Sequence, residues 1–199
     1  MSAVTAEMVR DLREKSGAGI MDCKEALRET NGDMDGAMDY LRKKGLSKAA
    51  KKSGREATEG AISSYIHAGG KIGVMLELSC ETDFVARNDI FQGLCKDIGM
   101  HIAAVNPSYL GVDDVPAADL DKEKAILAEQ AKESGKPDAV IPKIVEGRLA
   151  KFYEERCLLK QKFVKDPDVT VEDLIKAKIS ELGENIIIRR FVRYQLGEN

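Results

Sequence analysis

The chain is 199 residues long, with 43% apolar and 33% charged residues, no tryptophan and only 5% aromatic residues. This composition is typical of a helix-rich protein with its own core, and it excludes collagen-like, mucin-like and disordered chains. No stretch approaches the roughly 20 apolar residues that a membrane span needs, and the N-terminus carries charges where a secretion signal is apolar. We therefore expect a cytoplasmic protein that contacts no membrane.

The net charge of −3 is unevenly distributed. Residues 1–55 carry 12 Lys/Arg against 9 Asp/Glu, whereas residues 56–199 carry 19 against 25. The segment 42–55 holds seven basic residues and no acidic one. Such a run predicts an exposed linker or docking arm, which an acidic protein surface or RNA could meet.

The first 45 residues predict three short helices. Thr5 can cap the first helix, whose apolar residues recur three and four positions apart until Gly17. A second helix follows from Ile20, and Asp33 caps a third that ends at Gly45. Three helices of this length form a minimal bundle, which we call the head.

From Ala61 the apolar period changes from helical to two. Alternating residues on both sides of a Gly69-Gly70 turn predict a β-hairpin with one buried face. Glu81-Thr82-Asp83 can then cap a long helix that covers the sheet. Three more helices are expected near 117–134, 138–156 and 170–182, and the β-branched segment 185–196 is expected to return as a strand beside the hairpin. The fold class is therefore α+β, a three-helix head followed by an antiparallel sheet covered by helices.

Residues suited to covalent chemistry are scarce. The two histidines, His67 and His101, lie in different predicted elements, and neither a phosphate-binding loop nor a nucleophile motif is present. The cysteines are dispersed without the spacing of metal ligands, so we expect buried reduced thiols at Cys23, Cys80, Cys95 and Cys157. The sequence predicts a binding protein with no cofactor and no bound metal, not an enzyme.

The segment Thr82-Asp83-Phe84-Val85 places a large aromatic residue in the first turn of a helix, where the chain leaves the sheet. In one interpretation Phe84 packs against the core and fixes the helix entry. In the other, Phe84 is exposed as an apolar wedge with an acidic neighbour and anchors a protein interface. The pattern alone leaves both interpretations open.

Several longer blocks resemble one family. Residues 80–88, CETDFVARN, closely resemble the signature of bacterial elongation factor Ts, and so does the head segment 12–27, LREKSGAGIMDCKEAL. Further matches follow in order at 48–52, 101–104, 134–137, 146–148 and 183–191. The resemblance covers nearly the whole chain. It implies a translation elongation factor of the guanine-nucleotide exchange type, whose partner is elongation factor Tu in its GDP-bound and nucleotide-free forms.

The resemblance also implies roles for single residues. The head would be of the ubiquitin-associated (UBA-like) type and would dock on the partner's nucleotide-binding domain, with Arg13, Ile20 and Met21 at contact positions. Lys52 and His67 match further positions near the partner. Bundle packing for Ile20 and Met21, a solvated charge for Lys52 and a plain hairpin-edge position for His67 remain alternatives.

By the same resemblance Thr82, Asp83, Phe84 and Val85 would enter the GTPase near its phosphate and magnesium site. Phe84 would insert between helices of the partner, and Asp83 would disturb the groups that hold Mg²⁺. Loss of the cation that neutralises the diphosphate would speed GDP release.

The chain is shorter than the long members of that family and has a single hairpin core. Short members resemble obligate pairs, so we expect a homodimer, with the C-terminal strand or the core sheet at the contact. We divide the chain into 1–54, the head with its basic linker, and 55–199, the core and dimerisation domain. Two alternatives remain: an RNA-binding translation accessory protein that uses segment 42–55, which the acidic balance and lack of interleaved aromatics disfavour, and an adaptor that works through its head alone.

Overall fold

The computed structural model describes residues 4–198 and has the predicted α+β fold. In chain order the elements are α1 (Ala6–Ser16), α2 (Ile20–Glu29), α3 (Met34–Ala50), β1 (Glu59–Ile66), β2 (Ile72–Cys80), α4 (Asp83–Ala86), α5 (Asp89–Val105), α6 (Ala117–Glu133), α7 (Ile141–Arg156), β3 (Lys162–Phe163), β4 (Asp166–Thr170), α8 (Val171–Leu182) and β5 (Ile187–Gln195). None of the helices between residues 4 and 198 combines the length and apolar composition needed to cross a membrane.

The chain forms two compact units, each built from three segments. Unit 1 comprises the residues up to 62, 77–95 and 173–189, and unit 2 comprises 63–76, 96–172 and the residues from 190 onward. One sheet has the strand order β1-β2-β5, which confirms the expected return of the C-terminal segment beside the hairpin. The sequence-based boundary after residue 54 stays a prediction.

The three-helix head in unit 1 is confirmed. The Thr5 hydroxyl accepts a hydrogen bond from the Met8 amide at 3.2 Å, and Asp33 caps α3 in the same manner. Gly17 ends α1 with φ +66°, a conformation that a side chain disfavours. The helices enclose a core of fully or nearly fully buried residues, namely Leu12, Cys23, Ala26, Leu27, Ala37 and Leu41.

The third helix is longer than predicted. It does not end at Gly45 but continues to Ala50, so residues 42–50 of the basic segment belong to a helix and not to a linker. Gly45 lies beside Ser180, and a Cβ there would be 3.6 Å from the Ser180 hydroxyl, an ordinary van der Waals distance. Ala49 is buried four residues further on, and this continuation of the buried stripe stabilises the helix past the glycine.

The predicted buried face of the hairpin is confirmed on β2, where Val74, Leu76, Leu78 and Cys80 are buried. The long helix after it is divided into α4 and α5. Asn88 causes the break, because its side chain accepts a hydrogen bond from the Ile90 amide at 2.8 Å and so begins a new helix. In unit 2, the Arg193 guanidinium donates to the Ala103 carbonyl at 3.2 Å, so α5 packs on the sheet as expected.

The four cysteines are free and buried, as expected. Burial is the main cause that raises the pKa of Cys95 to about 12 and that of Cys80 to about 11. Because only the thiolate is a good nucleophile, both thiols are chemically inert at neutral pH.

Unit 2 contains a buried histidine and a short hairpin that the sequence did not predict. Strands β3 and β4 pair antiparallel. His101 Nε2 lies 3.0 Å from Gln161 Oε1, and its Nδ1 accepts a hydrogen bond from the Val164 amide at 3.3 Å. Both contacts require a neutral ring that carries its proton on Nε2. Desolvation by burial lowers the pKa of His101, against a smaller raising effect of Gln161.

This arrangement predicts acid sensitivity. Since the pKa of His101 is lower in the folded than in the unfolded state, its contribution to stability is complete above about pH 6.5 and is lost as the pH falls below that value. Urea unfolding at pH 7.5 and pH 5 should show less of this acid-induced loss in His101→Gln than in the wild type. His67→Gln serves as the control, because His67 is exposed and the loss should persist there. Equal losses in all three proteins would contradict the assignment.

Candidate partner-binding site

We call residues 82–85 the wedge segment. It follows β2 directly and forms most of the short helix α4 in unit 1. The Phe84 side chain is 83% exposed, whereas Ala86, two residues later, is buried. The interpretation that Phe84 packs against the core is therefore wrong, and the ring projects from the surface.

Thr82 holds the backbone of the wedge segment. Its hydroxyl accepts a hydrogen bond from the Val85 amide at 3.4 Å, and its carbonyl accepts one from the Ala86 amide at 3.1 Å. The Cys80 thiol donates to the same carbonyl at 3.1 Å. Burial, followed by the nearby Glu184 carboxylate, keeps the pKa of Cys80 high, so the thiol retains the proton that it donates.

Glu184, which follows the C-terminal end of α8, binds the start of the wedge segment. One carboxylate oxygen, Oε2, accepts hydrogen bonds from the backbone amides of Glu81 at 3.1 Å and Thr82 at 3.0 Å. The other oxygen, Oε1, accepts the Thr82 hydroxyl at 2.7 Å. Hydrogen bonds to an ionised acceptor are shorter and stronger than neutral ones, so this carboxylate fixes the turn firmly.

A second set of contacts ties the same two segments together in the opposite direction. The Glu81 carboxylate accepts a hydrogen bond from the Asn185 amide at 2.7 Å and lies 3.5 Å from the Arg55 guanidinium. Asn185 is buried, and its side-chain amide donates to the carbonyls of Ser53 at 3.4 Å and Arg55 at 2.8 Å. One hydrogen-bonded network therefore joins segments 53–55, 81–82 and 184–185.

Asp83 is held more loosely than Thr82. Its carboxylate pairs with the Arg87 guanidinium one helical turn away at 3.1 Å, and both groups are exposed to solvent to a large degree. An exposed pair of this kind contributes only about 0.2–1 kcal/mol. Asp83 can therefore exchange Arg87 for another cationic partner at little cost.

The head exposes an apolar corner at the start of α2. Ile20 is 55% and Met21 74% exposed, so neither belongs to the bundle core. Arg13 is exposed on α1. The bundle-packing alternative for Ile20 and Met21 does not hold, and all three side chains are free to contact a partner.

Lys52 and His67 differ in their surroundings. The Lys52 ammonium donates to the Gly183 carbonyl, directly before Glu184, so it contributes to the joined segments described above. His67 lies in unit 2 at the end of β1, exposed, with its Nδ1 3.2 Å from the Tyr65 hydroxyl. The role of either residue toward a partner stays a prediction.

The basic segment 42–55 is largely engaged within unit 1. Lys44 pairs with Asp22 at 3.0 Å and with Glu25 at 2.7 Å, and Lys48 pairs with Asp22 at 2.7 Å. These lysines lower the pKa of Asp22, and Lys48 has the largest effect. Arg42 pairs with Asp173, and Arg55 approaches Glu81. Four of the seven cations therefore have acidic partners within unit 1, and the RNA-binding alternative gains no support from this segment.

Sequence reasoning missed Glu184 and Asn185 as site residues. Both lie in the block 183–191 that resembles the family, but nothing in a single sequence indicates that they contact residues about 100 positions earlier. One local feature could have indicated them: two polar residues lie between a glycine that ends a helix and a β-branched strand, inside a block that resembles the family. In the part of the chain that the structure describes, no group of three or more His, Cys, Asp or Glu side chains is placed to hold a metal ion.

An exposed aromatic on a rigid turn and an exposed apolar corner on a helical bundle are features typical of proteins that bind other proteins. Comparison with known proteins identifies the family of the chain. The sequence profile of the family described as Elongation factor TS matches residues 46–198. The chain belongs to the elongation factor Ts family, and its role is that of a translation elongation factor.

Similar proteins named elongation factor Ts align over nearly the full chain. The relative from Geobacter sulfurreducens is 59% identical over 196 residues, which cover 98% of this chain and 91% of that relative. The relative from Syntrophomonas wolfei is 59% identical over 195 residues, with 98% and 91% coverage. The one from Desulfitobacterium hafniense is 57% identical over 198 residues, with 100% and 91% coverage.

Proposed function

We propose that this protein accelerates GDP release from elongation factor Tu and so allows GTP to rebind, without catalysing covalent chemistry. The observation that carries the proposal is the wedge segment, where a ring exposed over most of its surface stands on a turn fixed by charge-assisted hydrogen bonds. Exposing phenylalanine to water is unfavourable unless a partner covers it, and aromatic anchors of this kind dominate the energy of interfaces.

In the proposed mechanism Phe84 inserts between helices of the GTPase next to its phosphate site. Asp83 leaves Arg87 and disturbs the groups that hold Mg²⁺. Removing the cation leaves the negative charge of the diphosphate uncompensated, so GDP dissociates faster. The head supplies affinity at a second point, through Arg13, Ile20 and Met21 on the nucleotide-binding domain.

Linkage determines how the factor and the nucleotide affect each other's binding, and it sets no direction for the cycle. If the factor weakens GDP binding by a given ratio, GDP weakens binding of the factor by the same ratio. The factor therefore binds the nucleotide-free GTPase most tightly, and whichever nucleotide is abundant displaces it. A cellular excess of GTP would supply the direction.

The test is the release of a fluorescent GDP from elongation factor Tu, followed by stopped flow at micromolar concentrations of this protein. The observed rate constant should rise with factor concentration and saturate. If the rate constant does not change, the proposed function is wrong.

A Mg²⁺ titration separates the function from its mechanism. Displacement predicts that the stimulated rate falls as free Mg²⁺ rises, because a higher concentration of the cation favours its rebinding. A stimulated rate that is independent of Mg²⁺ would retain nucleotide exchange but contradict displacement.

We further propose that the protein acts as a homodimer. In unit 2 the strands leave a row of apolar side chains on the solvent side of the sheet, which we call the sheet patch: Ile66, Met75, Val192 and Tyr194. Ile66 is 65% and Tyr194 68% exposed. Contiguous exposed apolar surface on a sheet indicates an interface, and a second copy would cover the patch with the same residues about a two-fold axis.

The dimer proposal predicts the effect of a charge in the patch. Ile66→Lys should convert a dimer to a monomer in light scattering at about 10 μM, because two lysines would face each other across the axis. Val140→Lys is the control: Val140 is an exposed apolar residue away from the sheet, before α7. A monomeric wild type, or a dimer that survives Ile66→Lys, would contradict the assignment.

A further inference from the structure

We infer that Glu184 is a positioning residue for nucleotide exchange, which acts by fixing the direction in which the wedge segment presents Phe84. The inference rests on the proposed function of that segment. Glu184 does not belong to the wedge segment and is not expected to touch the partner's nucleotide site. Its carboxylate instead takes up three donors at the point where β2 ends and α4 begins.

The geometry explains why a side chain is needed at this point. The first amides of a helix have no carbonyl partners within the helix. Thr82 caps Val85, but the amides of Glu81 and Thr82 lie before the helix and would be left without acceptors in the protein. Glu184 Oε2 accepts both, while Oε1 orients the hydroxyl with which Thr82 caps the helix.

The position of Glu184 is itself fixed from both sides. The Gly183 carbonyl before it accepts the Lys52 ammonium, and the amide of Asn185 after it donates to Glu81. Buried Asn185 adds two hydrogen bonds to the carbonyls of Ser53 and Arg55. The carboxylate therefore belongs to a segment whose position is fixed, and its hydrogen bonds fix the position of Thr82 in turn.

Positioning predicts a particular pattern of variants. Glu184→Ala removes the acceptor for all three donors and should lower the maximal stimulated GDP release about tenfold, because small misplacements of a reacting element are costly. Glu184→Gln should restore most of the rate. Its amide oxygen can accept both backbone amides, and its amide nitrogen can donate to the Thr82 hydroxyl.

Two further readouts distinguish positioning from general stability. In the Phe84→Ala background, Glu184→Ala should cause little additional loss, because the group that it positions is already absent. Hydrogen exchange of the free protein should accelerate at the amides of Glu81, Thr82, Val85 and Ala86 in Glu184→Ala, with the amides of α2 unchanged. Glu181→Ala is the matched control, since it removes a carboxylate of the same unit that pairs with Lys178 and makes no hydrogen bond to residues 81–85 within the described chain.

The outcomes are decisive in both directions. Three results would each overturn the inference. Glu184→Gln could be as impaired as Glu184→Ala, the losses in Glu184→Ala and Phe84→Ala could be additive, or amide exchange at residues 81–86 could be unchanged in Glu184→Ala. If the wild type itself did not accelerate GDP release, the proposed function would fail, and the hydrogen-exchange comparison would still decide whether Glu184 fixes the segment.

Discussion

Replacing Phe84 with alanine is expected to lower the stimulated rate of GDP release by roughly 30-fold or more. A buried aromatic anchor at an interface contributes about 2 kcal/mol or more, and each 1.36 kcal/mol of transition-state stabilisation is a factor of ten in rate. Fluorescent GDP release under saturating factor measures the loss. Because the ring is exposed in the free protein, the free energy of unfolding should change by no more than about 0.5 kcal/mol.

Matched variants make the result specific. Phe84→Leu retains apolar volume and should recover part of the rate, because the volume of the inserted side chain matters more for a wedge than its aromatic character. Ile126→Ala truncates another exposed apolar side chain, on α6, and should leave exchange unchanged. A Phe84→Ala protein with the wild-type rate would show that the ring is not the wedge.

The periodic elements could be predicted from the sequence because their side chains carry the signal locally. The helices of the head follow from apolar spacing and from caps such as Thr5 and Asp33, and the hairpin follows from alternation around two glycines. The strands β3 and β4 carry no such signal. They are short, and Pro167 lies within β4, so neither composition nor period distinguishes them from a loop.

The end of α3 was missed for a tertiary reason. Gly45 looks like a helix end in sequence, but it lies beside Ser180, which is 135 positions later, and the helix continues to the buried Ala49. Separation in sequence, here 22 and 26 positions, also concealed the pairing of the basic segment. Lys44 and Lys48 look solvated until α2 places Asp22 beside them. Charge runs are visible locally, whereas their partners are not.

The candidate site was predicted in part. The residues of the wedge segment were identified by resemblance, but the pattern allowed Phe84 to point inward or outward. The direction is decided by Ala86 and Phe91, which take the buried positions and leave Phe84 on the opposite side of the turn. Glu184 could not be predicted, because hydrogen bonds across about 100 residues leave no period in the sequence.

The wedge segment depends on β2 for its starting point, and β2 depends on an unusual glycine in β1. Gly60 has φ +142°, a region that only glycine occupies readily. A Cβ at this position would lie 2.2 Å from the Leu78 carbonyl oxygen and 2.7 Å from the Ser79 Cα. Both contacts are with backbone atoms, so the overlap cannot be relieved by rotating a side chain.

Gly60→Ala is therefore expected to destabilise the protein by about 3 kcal/mol or more, from the strained φ together with the displacement of β2. For a chain of this length that corresponds to a fall in Tm of roughly 6–12 °C. Thermal unfolding followed by circular dichroism measures the change. Because Leu78 and Ser79 lead directly to Thr82, the folded fraction of the variant should also exchange nucleotide more slowly.

Gly93→Ala provides the control for this variant. Gly93 is exposed on α5, and a Cβ there would meet no atom within 4 Å. Alanine in a helix is favoured over glycine by about 0.5–1 kcal/mol, so this variant should melt at or slightly above the wild-type temperature. If Gly60→Ala melted at the same temperature as Gly93→Ala, β1 and β2 could move apart without loss of stability. The claim that β2 holds the start of the wedge segment rigidly would then be wrong.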